Sequence, residues 1–177
     1  MAKPSYYIAQ VAVGRERAAA HRLTRALSDV LAAPVVVPSF EAEAKVRGTW
    51  VPVTRAVAQG YVALASSDGR ALLDAIAERA SGASLVQNAL GPIPVPDELA
   101  VLLGLAQGGG LPISRGVRYA DGAIHITEGP LKGMESSIRS LDRRRCTAVI
   151  EICVGGERIR SRAGLALLPA GPVALAG

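Results

Sequence analysis

Residues 121–142 constrain the fold of this chain more than any other stretch. Two short apolar runs, residues 124–126 and 138–141, are joined by the bend Gly-Pro-Leu-Lys-Gly at residues 129–133. Glycine allows the positive φ angles that a tight bend needs and proline fixes its own φ, so this pattern is typical of a strand, a corner and a second strand. We predict that the stretch begins a small β-barrel.

A run of glycines divides the chain in two. Three consecutive glycines at residues 108–110 support neither a helix nor a strand well. We therefore predict an interdomain linker at residues 108–112, a first domain at 1–107, a second domain at 113–170 and a flexible tail at 171–177. The chain has 177 residues, of which 50% are hydrophobic, so two small domains could each bury a core.

Hydrophobic periodicity predicts the fold class. In the first domain it gives the order β-α-β-β-β-α-β-α, which includes a helix after Gly14 and a long hairpin at residues 35–57 with its turn near Arg47 and Gly48. The second domain reads as about five short strands with tight turns. They include strands at residues 157–162 and 165–168, and a two-residue hairpin turn at Gly155 and Gly156 precedes the first of these. The predicted class is α+β: an antiparallel sheet with helices packed on it, followed by a small, SH3-like β-barrel.

The charge of the chain is concentrated in its C-terminal part. The formal net charge is +5; residues 1–107 hold ten Lys/Arg and nine Asp/Glu, whereas residues 108–177 hold ten and six. This bias favours an anionic partner for the second domain. The two cysteines, Cys146 and Cys153, have a spacing that prevents them from pairing within one strand, and unpaired thiols are typical of a reducing cytoplasm. No signal peptide or membrane span is predicted.

The pattern of reactive side chains does not favour an enzyme. His21 and His125 fall in different predicted domains, and the carboxylates are scattered over helix caps and polar strand faces. No phosphate-binding loop and no zinc-ligand spacing is present. We therefore predict a binding protein without catalytic residues, metal or cofactor.

Several motifs resemble those of the NusG family of transcription factors. Residues 6–16 read Tyr-Tyr-x-x-Gln-Val-x-x-Gly-x-Glu, Gly-Tyr-Val follows at residues 60–62, and Pro-x-Pro-Asp-Glu follows at residues 94–98, as in an NGN domain. The corner at residues 129–133 resembles a KOW motif. This corner with the following Met-Glu, and the later Leu-Asp-Arg-Arg-Arg at residues 141–145, are most similar to the LoaP branch, whose members act on selected operons.

The resemblance implies a cytoplasmic, monomeric factor that binds the clamp region of RNA polymerase and suppresses pausing or termination on selected operons. Further partners it suggests are DNA in the transcription bubble and a ribosomal protein. The positions that match the apolar docking surface of the family are Tyr7, Val57, Tyr61 and Val62. Two alternatives remain open: a general elongation factor that couples to the ribosome or Rho, and a ribosome-associated KOW protein.

The KOW-like domain is expected to bind RNA, and its arginines are the candidate contacts. Three lie in one turn and three occupy alternate positions of one strand, so that each group shares a surface. The guanidinium fork suits phosphate, and only Tyr119 offers an aromatic ring nearby, which favours the backbone of a hairpin or duplex over stacked bases. The candidate residues are Lys132, Arg139, Arg143, Arg144, Arg145, Arg158, Arg160 and Arg162.

Overall fold

The structure is a computed structural model that describes residues 3–105, 108–154 and 157–169. Its described residues form two compact units. The first contains the described residues within 1–39 and 56–110, and the second contains those within 40–55 and 111–177. The hairpin at 40–55 thus groups with the C-terminal residues, whereas the predicted first domain, residues 1–107, contains it. The linker at 108–112 remains a prediction.

The helices and strands follow one another in an order close to the predicted one. A 3₁₀ turn, Glu135–Ser137, lies between the eleventh and twelfth strands. In chain order the elements are β1 (Ser5–Gln10), α1 (Glu16–Ala26), β2 (Ala33–Val36), β3 (Ser39–Val46), β4 (Thr49–Ala56), β5 (Tyr61–Ser66), α2 (Gly69–Arg79), β6 (Ser84–Leu85), β7 (Gln87–Asn88), β8 (Gly91–Pro92), α3 (Asp97–Leu102), β9 (Gly110–Leu111), β10 (Ser114–Arg118), β11 (Ile124–Glu128), β12 (Ile138–Asp142), β13 (Thr147–Val154) and β14 (Glu157–Pro169).

The first unit is built on a four-stranded sheet in the order β2-β5-β1-β6. One core cluster joins this sheet to α1 and α2, and a second contains residues of α3 and of the segment that follows it. Helix α2 begins where the carboxylate of Asp68 accepts the backbone N–H groups of Arg70 and Ala71 at 2.9 and 3.0 Å. An ion pair between Arg79 and Asp29 (2.8 Å) links the end of α2 to the segment after α1 and lowers the pKa of Asp29. The predicted sheet with helices packed on it is confirmed.

The second unit contains a five-stranded sheet in the order β11-β10-β14-β13-β12 and the strands β4-β3-β9. Strand β14 is unusually long, because its first part pairs antiparallel with β13 and its last part pairs parallel with β10. Gly164 lies where the two parts meet, and a Cβ atom there would collide with the carbonyl oxygen of Glu41. The predicted strands at 157–162 and 165–168 are therefore one continuous strand.

The predicted glycine corner is present between β11 and β12. Gly129 and Gly133 have φ angles of 96° and 82°, which favour glycine. A Cβ atom on Gly129 would lie 2.6 Å from the Cα atom of Ser114, whose hydroxyl accepts the N–H of Leu131 at 3.0 Å. The two strands joined by the corner lie at opposite ends of the strand order, so the corner crosses the unit instead of forming a hairpin.

Two further sequence expectations concern turns. The turn of the long hairpin falls at Arg47 and Gly48, as predicted, and both residues have positive φ. The predicted turn at Gly155 and Gly156 lies outside the described residues. None of the helices in the described ranges is long and apolar enough to cross a membrane.

Candidate functional site

Strands β12, β13 and β14 present one face to the core and one face to solvent. Ala148 and Ile150 of β13 are each 1% exposed and belong to the core. Because side chains alternate along a strand, Val149 and Glu151 point to the opposite, outer face. In the pairing with β14, these two residues lie opposite Arg162 and Arg160. We call this outer surface of β12, β13 and β14 the arginine face.

A single carboxylate organises one end of the arginine face. The Glu151 side chain, only 8% exposed, accepts hydrogen bonds from Nε of Arg139 (3.2 Å) and Nε of Arg160 (2.9 Å). Nη1 of Arg158 lies 4.0 Å from the same carboxylate. The hydrogen bond from Arg160, with smaller contributions from both guanidinium charges, lowers the pKa of Glu151 below its ordinary value. Three arginines thus converge on one negative charge, which leaves the cluster with a net positive charge.

The other end of the face contains a small cavity of about 210 Å³. Arg145 and Arg162 line it together with Arg55, which comes from strand β4 of the hairpin. Asp142 is the one acidic residue of its lining. The cavity therefore joins a residue far upstream in the sequence to two of the predicted RNA-binding residues.

The arginine turn at residues 143–145 is held by the residue before it. Oδ1 of Asp142 accepts the backbone N–H groups of Arg144 and Arg145, each at 3.1 Å, and Oδ2 lies 3.8 Å from Nε of Arg145. The side chains of Arg143 and Arg144 are exposed, and no carboxylate of the described residues lies within 4.0 Å of either. Their guanidinium groups are available to a ligand.

The structure therefore brings most of the predicted RNA-binding residues onto one side of the second unit. Arg139, Arg158 and Arg160 meet at Glu151, and Arg145 and Arg162 meet at the cavity. Lys132 is exposed in the glycine corner and makes no ion pair with the described residues. It is not part of either cluster.

The predicted polymerase-binding residues do not share one surface. Tyr7 and Val62 are 8% and 0% exposed and lie in the core formed with α1 and α2. Val57 is half-buried and packs against the cluster that contains α3, and Tyr61 is half-buried in β5. Since Tyr61 and Val62 are adjacent on a strand, they point to opposite faces of the sheet. Of the four, Val57 and Tyr61 have side chains that a partner could reach.

Two residues, Glu151 of the arginine face and Arg55 of the adjoining cavity, were not identified from the sequence. Glu151 appeared as one of several scattered carboxylates, because its arginine partners come from other strands. Arg55 carried a signal, since Val51, Val53 and Arg55 alternate along β4 on its less exposed side. An arginine that continues an inward-facing apolar series is a candidate for a buried polar contact.

A second cavity of the same unit, about 430 Å³, lies beside Trp50 and Cys146. One of its two arginines, Arg115, is paired with Glu43 at 3.0 Å and with Glu128 at 3.6 Å. Burial raises the pKa of the Cys146 thiol, so the reactive thiolate is disfavoured.

In the described part of the chain, no group of three or more His, Cys, Asp or Glu side chains could hold a metal ion.

Comparison with known proteins gives a structural match. No protein-family model matches this chain, and no curated protein matches its sequence. Among solved structures, one from Thermotoga maritima, described as "Domain interaction in Thermotoga maritima NusG", matches with a TM-score of 0.54 at 14% sequence identity. The match covers 89% of this chain and 92% of that chain. At this identity the likeness concerns architecture, and the chain accordingly has a NusG-like α+β fold.

Proposed function

We propose that this chain is a non-enzymatic transcription factor of the NusG type, which binds RNA polymerase through its first unit and RNA through the arginine face. It suppresses pausing or termination on selected transcripts. The observation that carries the proposal is the convergence of Arg139, Arg158 and Arg160 on the single carboxylate of Glu151. The NusG-like fold supports the polymerase-binding part.

The arrangement of the arginines favours a polyanion over a single small anion. The Glu151 carboxylate takes one N–H from Arg139 and one from Arg160, and the remaining N–H groups of both guanidiniums have no hydrogen-bond partner among the described residues. All three side chains are at least half exposed. Guanidinium groups held in this way bind phosphate oxygens through paired hydrogen bonds. A duplex or hairpin backbone supplies several such phosphates in a row.

In the first unit, the contact with polymerase is proposed for Val57 and Tyr61, whose side chains are partly accessible. Tyr7 and Val62 would act from the core by fixing the sheet on which Tyr61 lies, because β1 and β5 pair along their whole length.

The proposed mechanism requires no covalent bond to be formed or broken. A factor that binds the elongating conformation of polymerase more tightly than the paused one shifts the population toward elongation.

In vitro transcription with purified RNA polymerase tests this function directly. Templates with structured leader sequences are transcribed with and without saturating protein, and pausing and read-through are measured. We expect more read-through on a subset of templates. Unchanged pausing on every template, together with copurification of the tagged chain with ribosomes instead of polymerase, would contradict the proposal and favour a ribosome-associated RNA-binding role.

A further inference from the structure

We propose that the cavity lined by Arg55, Arg145 and Arg162 is a binding site for one phosphate group of the RNA backbone. This inference rests on the proposed RNA-binding function and adds to it a residue of the hairpin that precedes the RNA-binding domain in sequence. The site is composite, because Arg55 belongs to β4 whereas Arg145 and Arg162 belong to the C-terminal part of the second unit.

Burial of the Arg55 side chain is the first argument. Its Nε atom is inaccessible to solvent and has no hydrogen-bond partner among the described residues. A buried donor without a partner carries a desolvation cost that an acceptor would remove. Nor does any carboxylate in the described ranges lie within 4.0 Å of the Arg55 or Arg162 guanidinium groups. In the described lining, positive charges and hydrogen-bond donors thus outnumber the acceptors.

The chemistry of the lining identifies the ligand. Three guanidinium groups face one carboxylate, that of Asp142, which is already engaged by two backbone N–H groups and by Arg145. The hydroxyl groups of Ser140 and Thr147 supply two further donors. Such a set binds an oxyanion, and like charges brought this close repel one another until an anion separates them. At about 210 Å³, the cavity is smaller than the usual site of an organic ligand, and it suits a phosphate group with its water.

The position of the cavity favours an RNA backbone over a free anion. Arg162 occupies the same face of β14 as Arg160, two residues along the strand, which corresponds to roughly 6.6 Å. A strand of phosphates that passes the Glu151 cluster can therefore continue into the cavity. Arg55 then contacts the same backbone as Arg158 and Arg160.

The hairpin is held in a position that allows this contact. Phe40, which also lines the cavity, is only 2% exposed, and Gly164 leaves room for the carbonyl group of Glu41. Arg115 forms an ion pair with Glu43 at 3.0 Å. These contacts between the hairpin and the C-terminal strands fix the end of β4 beside β14. The cavity is consequently preformed, which lowers the entropic cost of binding.

Titration of a fluorescein-labelled RNA hairpin with the full chain tests the site. Arg55→Gln is expected to weaken binding about tenfold, because one buried charge-assisted contact is lost. It should also reduce the slope of log Kd against log salt by about 0.7 to 0.9. Arg55→Lys, which keeps the charge but loses the planar fork, should restore only part of the affinity. The matched control is Arg47→Gln, which removes the same charge from the turn of the same hairpin, roughly 25 Å away along the strand.

Because Arg55 is partly buried, its replacement could also disturb the fold. Thermal unfolding midpoints are compared for that reason, and Arg162→Gln provides a second variant at an exposed position of the same cavity. If wild type binds RNA and an Arg158→Gln/Arg160→Gln variant is weakened, but Arg55→Gln and Arg162→Gln bind like Arg47→Gln, the cavity proposal is overturned while the proposed function stands. Absence of RNA binding by wild type would overturn the proposed function itself.

Discussion

Glu151 accepts a hydrogen bond from Nε of Arg160 at 2.9 Å, across the antiparallel pair formed by β13 and β14. This contact determines how the arginine face can work. It holds the guanidinium of Arg160 against β13, and the other carboxylate oxygen of Glu151 accepts a hydrogen bond from Arg139. A surface whose long, flexible side chains are held in this way loses less entropy when it binds a ligand.

Protonation of Glu151 should weaken the fold. Because the hydrogen bond from Arg160 lowers the pKa of Glu151 in the folded state, the folded protein binds this proton less readily than the unfolded chain. The stabilisation is fully present above the unfolded-state pKa and is lost as the pH falls through the folded-state pKa. Urea unfolding of wild type and Glu151→Gln should therefore differ at neutral pH and converge in acid.

A matched control for that comparison is Glu41→Gln, which removes an exposed carboxylate from β3. Its unfolding curve should follow that of wild type over the same pH range. A gap between wild type and Glu151→Gln that stays constant down to strongly acidic pH would show that the charge of Glu151 is not what stabilises the face.

The two glycines of the corner should respond differently to substitution. Both have positive φ, so alanine at either position costs about 1–2 kcal/mol of backbone strain. At Gly129 the new Cβ would also meet Ser114 at 2.6 Å, whereas nothing lies within 4 Å of a Cβ at Gly133. Chemical denaturation should show a clearly larger loss for Gly129→Ala than for Gly133→Ala. Equal losses would mean that the approach of Ser114 is not required.

The exposed arginine turn should contribute to RNA affinity without contributing much to stability. Replacing Arg143 and Arg144 by Ala removes two exposed charges that have no carboxylate partner among the described residues. We expect weaker binding of an RNA hairpin and a salt dependence reduced by about 0.7 to 0.9 per phosphate contact. Fluorescence anisotropy at several salt concentrations measures both quantities, and unchanged values would remove the turn from the site.

Asp142→Ala tests how much the hydrogen bonds of the same turn contribute to the stability of the fold. It leaves every arginine in place but removes the acceptor of the N–H groups of Arg144 and Arg145. We expect a stability loss of about 1 kcal/mol in urea unfolding.

In the first unit, neighbouring residues of β5 should separate polymerase binding from stability. Val62 is completely buried, so Val62→Ala should cost about 2 kcal/mol in unfolding free energy. Tyr61→Ala, at a half-buried position, should cost less stability than Val62→Ala and should reduce copurification with RNA polymerase. Leu90→Ala is the control, because Leu90 is 96% exposed and lies in the turn between β7 and β8. Equal polymerase recovery with Tyr61→Ala and Leu90→Ala would argue against a role for Tyr61.

The sequence by itself determined the local features of this protein. Periodicity identified the sheet and helices of the first unit, and the glycines of the corner marked positive φ angles, because both depend on residues close together in the chain. The alternation of Arg158, Arg160 and Arg162 likewise placed them on one face of a strand. The sequence pattern did not predict that two predicted strands join into β14. Gly164 suggests the end of a strand, whereas the close packing of Glu41 requires a glycine at this position within a continuous strand.

Only the tertiary structure decided how the arginines are grouped. Glu151 receives its partners from strands on both sides of β13, and Arg55 lines the same cavity as Arg162 through the packing of a hairpin that lies far upstream. It also decided that Tyr7 and Val62 are core residues while Tyr61 remains partly accessible. These relationships depend on strand pairing and burial between distant segments, for which a local sequence pattern contains no signal.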